Sequence, residues 1–131
     1  GAKIRTGSFT STDIELQSVE MDGSLTQTPE FPYNWMYDGS RPQMPGFEME
    51  ITCKSLFLIF KDSGEMDVGK ADVFVNDVYC MTADPHKNNW LHCNAVLLFW
   101  ETESRSHKVR ITVTEEDRNK KFTILGFGYT I

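Results

Sequence analysis

The chain is 131 residues long, 40% apolar and 12% aromatic, enough for one folded core and too hydrophobic for a disordered tract. Its net charge of −6 repels a nucleic-acid duplex or an anionic membrane, so neither is expected as a partner. Three cysteines, Cys53, Cys80 and Cys93, include no CxxC pair and leave an odd thiol, which excludes a disulfide framework.

The free thiols and the lack of a visible signal peptide point to a reducing, cytoplasmic setting. No apolar run approaches the ~20 residues of a membrane span. The opening "GAKIRTG" lacks Met and reads as a tag scar on a domain cut from a larger parent.

In chain order, "DIELQ" offers Ile14 and Leu16 to a core. Thr26 to Gly46 is a long irregular segment holding four of the five prolines and the rings Tyr33, Trp35 and Tyr37. A loop of that length in a small domain is either functional or packed across one end. "FEMEIT" alternates Phe47, Met49 and Ile51 against polar neighbours, the pattern of a strand with one dry face. "SLFLIFK" is apolar on both faces and reads as a separate central strand covered on both sides. "KDSGEMDVGKAD" is a hydrophilic hairpin. "ADVFVND" alternates again, and Asn76-Asp77 is a two-residue turn into "VYCMT".

The residues from Asp84 to Val96, "DPHKNNWLHCNAV", form an end loop. "AVLLFWE" is a second heavily apolar strand with Trp100 in the core. "HKVRITVTE" turns Val109, Ile111 and Val113 inward. The charge reversal at Glu115, Glu116, Asp117, Arg118, Lys120 and Lys121 marks a solvated hairpin end. "KFTILGFGYTI" closes the chain, with Gly126 and Gly128 marking a bulge or a close backbone approach. No helix of three turns is expected. Seven or eight short strands give a single domain over residues 1–131, an antiparallel β-sandwich of jelly-roll type.

Candidate chemistry is sparse. There is no GxSxG elbow, and "DGSL" at Asp22 to Leu25 is followed by no helix, so no catalytic residue is assigned. His86, His92 and Cys93 match no zinc spacing, and adjacent strand residues point to opposite faces. No cofactor is expected. Asp62, Glu65 and Asp67 supply oxygens for calcium, without the EF-hand order. Sugars need exposed rings flanked by amides or charges. Two segments have that makeup: one around Tyr33, Trp35 and Tyr37, the other around Asn89, Trp90 and His92. Each ring could equally plug the open end of a sandwich.

The pieces "SLFLIFKDSG", "GKADVFVND", "NNWLHCNAVLL", "SHKVRITV" and "KFTILGFGY", within Gly46 to Ile131, resemble the β-sandwich domain that accompanies SGNH/GDSL-type hydrolases of gut Firmicutes, a domain shaped like carbohydrate-binding modules. The resemblance implies a jelly-roll accessory domain whose esterase centre lies elsewhere. The Ser-bearing block, the oxyanion blocks and the Asp-x-x-His of the hydrolases are absent; Asp84 and His86 are spaced D-x-H. The expected function is a non-catalytic module that binds a glycan. Its alternatives are an interaction domain that packs on the hydrolase domain or dimerises, and an independent hydrolase.

Overall fold

The computed structural model describes residues 2–14, 19–21, 24–28, 33–88 and 93–131. Among the described residues nine strands follow one another: β1 (Lys3–Arg5), β2 (Val19–Met21), β3 (Ser24–Thr28), β4 (Trp35–Tyr37), β5 (Phe47–Lys61), β6 (Ala71–Val75), β7 (Val78–Ala83), β8 (Cys93–Val113) and β9 (Phe122–Thr130). Among the described residues no helix is long and apolar enough to cross a membrane. A short 3-10 turn at Glu115–Asp117 joins β8 to β9. One antiparallel sheet runs β4-β9-β5-β8-β6-β7, with β1 added to β5; β2 and β3 form a separate pair.

The two motifs "FEMEIT" and "SLFLIFK" are one strand of 15 residues, and "AVLLFWE" with "HKVRITVTE" makes another of 21. The expectation of separate strands fails because the break is a bulge. The register of β5 against β8 jumps between Cys53 and Ser55. Before it, Phe47, Met49, Ile51 and Cys53 are buried; after it, Leu56, Leu58 and Phe60 are. From Cys53 to Ser55, two residues of β5 are matched by five of β8, from Arg105 to Trp100, and a second shift follows Leu56. Such an irregularity changes the parity yet keeps the apolar side chains on one side, and it bends the strand.

The bend closes the layers. Phe127 pairs opposite Leu58, eleven residues along β5 from Phe47, yet the Phe47 and Phe127 rings stack at 5.8 Å. A straight strand would hold Phe47 and Leu58 about 36 Å apart. The two halves of the sheet therefore face each other, as expected for a sandwich. Phe9 plugs the space between them, in ring contact with Tyr37, Phe47 and Phe122. Its approach depends on Gly7, whose φ of +53° and whose missing Cβ, which would lie 2.1 Å from the Pro45 carbonyl oxygen, admit no other residue without strain.

Other expectations change. "SLFLIFK" is covered on one side only: Phe57 stands 41% exposed, with Leu97 of β8 beside it. Trp100 is 82% exposed and is not core. Ile14 is exposed as well, and Leu16 lies outside the described residues. Part of the irregular segment is strand, since β4 pairs with β9. The Asn76-Asp77 turn is as read, with φ of 52° and 64°, the two left-handed residues of a tight hairpin. A register shift sits beside Gly126, but neither Gly126 nor Gly128 has a backbone pressed against it.

Candidate functional site

Polar side chains gather at one end of the sandwich, where β5 ends and β8 begins. The alternation that buries Phe60 also buries Asp62, and Asn94, which pairs opposite Phe60, donates Nδ2 to Asp62 Oδ1 at 2.9 Å. Asn88 in turn donates to Asn94 Oδ1. Beside this row lies a second group. Lys61 Nζ sits 2.8 Å from Asp13 Oδ2, which also accepts from the Thr123 hydroxyl. Asn34 Oδ1 accepts the Asp13 backbone N–H, and its amide donates back to the Asp13 carbonyl. The Lys61 and Asp13 side chains are only 18% and 8% exposed. A buried pair of this kind adds little net stability and much geometric definition.

Above this floor opens a cleft of about 620 Å³. Ser11, Thr12, Ser63, Glu65, Asp67 and Lys121 are among its walls, and Met36 and Phe122 supply apolar surface. Lys121 reaches Asp67 at 3.4 Å. Ser11 donates to Asp38, and that bond, with those from Ser40, holds the Asp38 carboxyl down at about 2. The loop from Asp84 is strapped to the same end: Ser63 N–H donates to the Pro85 carbonyl, and the His86 ring N–H donates to the Val68 carbonyl at 2.6 Å. Asp84 caps the backbone N–H of His86. Asp84 and His86 therefore hold the loop, and His86 has its Nε2 committed to a carbonyl.

The aromatic candidates are dispersed. Tyr33 is 84% exposed. Trp35 packs on Phe47 and Phe127, so its ring plugs the core. Tyr37 is buried, its hydroxyl donating to the Arg118 carbonyl, and burial pushes its phenol above the usual range. It cannot belong to a contact surface, because β4 turns it inward next to Phe9. Asn89, Trp90 and His92 lie outside the described residues. Asp62 is buried against Asn94, whereas Glu65 and Asp67 are exposed. Among the described residues no three metal-ligating side chains come together.

Sequence reasoning passed over His107. It is buried, stacked on Phe99 and hydrogen-bonded at both nitrogens. The Lys108 N–H donates to Asn76 Oδ1, which turns the Asn76 amide nitrogen toward His107 Nδ1 at 2.9 Å. Nδ1 therefore accepts, and Nε2–H donates to Glu101 at 2.6 Å. Arg105 also bonds Glu101 and holds its carboxyl below the ordinary range. A Ser-His-acid relay needs a ring nitrogen left for the nucleophile. Here Asn76 takes it, so this His-Glu pair locks the β6–β7 turn onto β8. The spacing Glu101 to His107 carries no known pattern, so only the fold brings the pair to notice.

Burial raises the Cys53 and Cys80 thiols above the ordinary range. Neither is an activated nucleophile.

No family model and no characterised sequence matches the chain. Solved structures do. A two-domain esterase active on acetylated mannans, co-crystallized with mannopentaose, is similar over 99% of this chain and 34% of its own, with a TM-score of 0.60 and 15% identity. A family two carbohydrate esterase from Cellvibrio japonicus covers 100% of this chain and 36% of its own (TM-score 0.45, 13% identity). An acetyl xylan esterase from the rumen bacterium Butyrivibrio proteoclasticus covers 66% and 23% (TM-score 0.46, 14% identity). The first of these shares the fold, and this chain spans about a third of its length.

Proposed function

We propose that this chain is a non-catalytic β-sandwich domain of a carbohydrate esterase and that it holds a glycan at the polar end of the sandwich. The observation that carries the reading is the cleft of about 620 Å³ above the Asp13–Lys61–Thr123 floor. Its carboxylates, hydroxyls and ammonium groups are spaced to exchange hydrogen bonds with sugar hydroxyls, and Met36 and Phe122 meet C–H faces. The fold shared with part of a mannan-active esterase supports the same class of ligand. The non-catalytic role rests on the described histidines: His86 and His107 are both tied to partners other than a hydroxyl or thiol.

Calorimetric titration with mannopentaose and with xylo-oligosaccharides tests this. Binding is expected to weaken at least tenfold in Lys121→Ala combined with Thr12→Val. Flat titrations up to millimolar sugar for the intact domain would sink the reading.

A second reading has its own observation. Phe57, Leu97 and Trp100, with Ile59, Ala95, Gly126 and Gly128 between them, share the outward face of β5, β8 and β9, and none carries a charge. Such a face fits another domain of the same polypeptide. Phe57→Glu in a full-length esterase is then expected to speed proteolysis between the domains; an unchanged rate would argue against it.

A further inference from the structure

The outward face of β6, β7 and β8 lies apart from the cleft and has a different makeup. Alternation turns Val73, Ile111 and Met81 inward, so Asp72, Phe74, Tyr79, Thr82, Arg110 and Thr112 point out. In register they make two rows. One row is Thr112, Asp72 and Thr82; the other is Arg110, Phe74 and Tyr79. The Arg110 guanidinium lies 4.1 Å over the Phe74 ring, and Tyr79 meets that ring edge-on at 6.0 Å. The Tyr79 hydroxyl bonds Thr82 at 2.6 Å, and Thr82 donates to Asp72 at 2.6 Å. Tyr79 is thus held by its edge and its tip, and it remains 56% exposed.

Two depressions, of about 720 and 530 Å³, adjoin across Asp72 and Glu115 on this face. Their charged walls are Lys70, Arg110 and Arg118 against Asp72, Glu115 and Glu116, which sum to zero in a chain of net charge −6. Neither depression shares a residue with the cleft.

We infer that this face is a second glycan-contact surface, taking an extended neutral polysaccharide along the β6–β8 rows. The inference rests on the glycan reading above and extends it to a different surface. A held, exposed phenol ring meets the C–H face of a sugar. Arg110, already flattened on Phe74, offers guanidinium donors, and Asp72 offers an acceptor at hydroxyl height. Charge balance favours a neutral chain over a uronate or phosphate polymer, which Glu115 and Glu116 would repel. Length is the distinguishing feature. The cleft takes a short oligosaccharide, whereas engaging both surfaces at once needs a polymer, and the gain is then one of effective concentration.

The test uses soluble glucomannan and mannopentaose with the whole domain, read by affinity electrophoresis and calorimetry. Tyr79→Ala and Arg110→Gln are each expected to weaken glucomannan binding about tenfold and mannopentaose binding less than twofold. Both side chains are on the surface, and an unchanged melting midpoint confirms the fold; Tyr79→Phe keeps the ring and is expected to retain most of the binding. If the domain binds glucomannan and both variants bind it like the wild type, the second surface is refuted while the cleft stands. If the domain binds neither sugar, the glycan reading itself fails and this surface with it.

Discussion

Replacing Asp13 by Asn keeps the side chain's volume and removes its charge from beneath Lys61. At 2.8 Å, with an effective dielectric near 20, the gross attraction between the two charges is about 6 kcal/mol. Most of that offsets the cost of taking both groups out of water. The variant leaves the ammonium of Lys61 in place, with its side chain 18% exposed and the negative charge of Asp13 removed from beside it. Breaking a buried pair from one side costs about 3–5 kcal/mol, and the residual exposure of Lys61 puts this case near about 3 kcal/mol. For a chain of this size that lowers the melting midpoint by roughly 10 °C. Lys61→Met added to Asp13→Asn removes the ammonium that faced Asp13 and is expected to recover about 1–2 kcal/mol of the loss. The measurement is urea denaturation of the wild type, both single variants and the double variant at pH 7. A loss below about 1 kcal/mol in Asp13→Asn, or a double variant no more stable than that single one, would refute the buried-pair account of the cleft floor.

Three further outcomes follow from the same structure. Asp38 titrates at about 2 in the folded chain against an ordinary 3.8, so its bonds from Ser11 and Ser40 stabilise above pH 3.8 and are lost as pH falls toward 2. Asp38→Asn is expected to cost about 1 kcal/mol at pH 7 after discounting for solvent screening, with the two melting curves converging near pH 2. Gly7→Ala places a Cβ against the Pro45 and Gly46 carbonyls at a positive φ, and chemical denaturation is expected to show a loss of about 3 kcal/mol or more. Thiol labelling of the native protein is expected to spare Cys53, which is fully buried, and to reach Cys80 on the exposed edge strand; equal labelling rates for the two would contradict the burial of Cys53 in the core.

Local pattern, by itself, determined the strand character of the segments within β5, β6, β7, β8 and β9 and the turn between β6 and β7. Alternation is a property of neighbouring residues, and a period of two leaves few other readings once Asn76-Asp77 supplies left-handed backbone. It also determined that Phe47, Met49, Ile51, Val109 and Ile111 line a core. The expected ligand residues fared unevenly. Tyr33 is exposed, Tyr37 and Trp35 serve packing, and Asn89, Trp90 and His92 lie outside the described residues.

The tertiary structure alone decided which faces are covered. An apolar side chain that awaits a partner and one already buried look the same in a string of letters, so Phe57, Leu97 and Trp100 read as core until the fold left their side of the sheet open. It decided, too, that two pairs of short motifs are two long bent strands, because an irregularity in the β5–β8 pairing after Cys53 shifts the parity while the apolar side chains stay inward. The cleft floor is the clearest case. Asp13, Lys61 and Thr123 are far apart in the chain, and no periodicity links them. Their meeting follows from where β5 ends, where β9 begins, and how the N-terminal segment crosses between them.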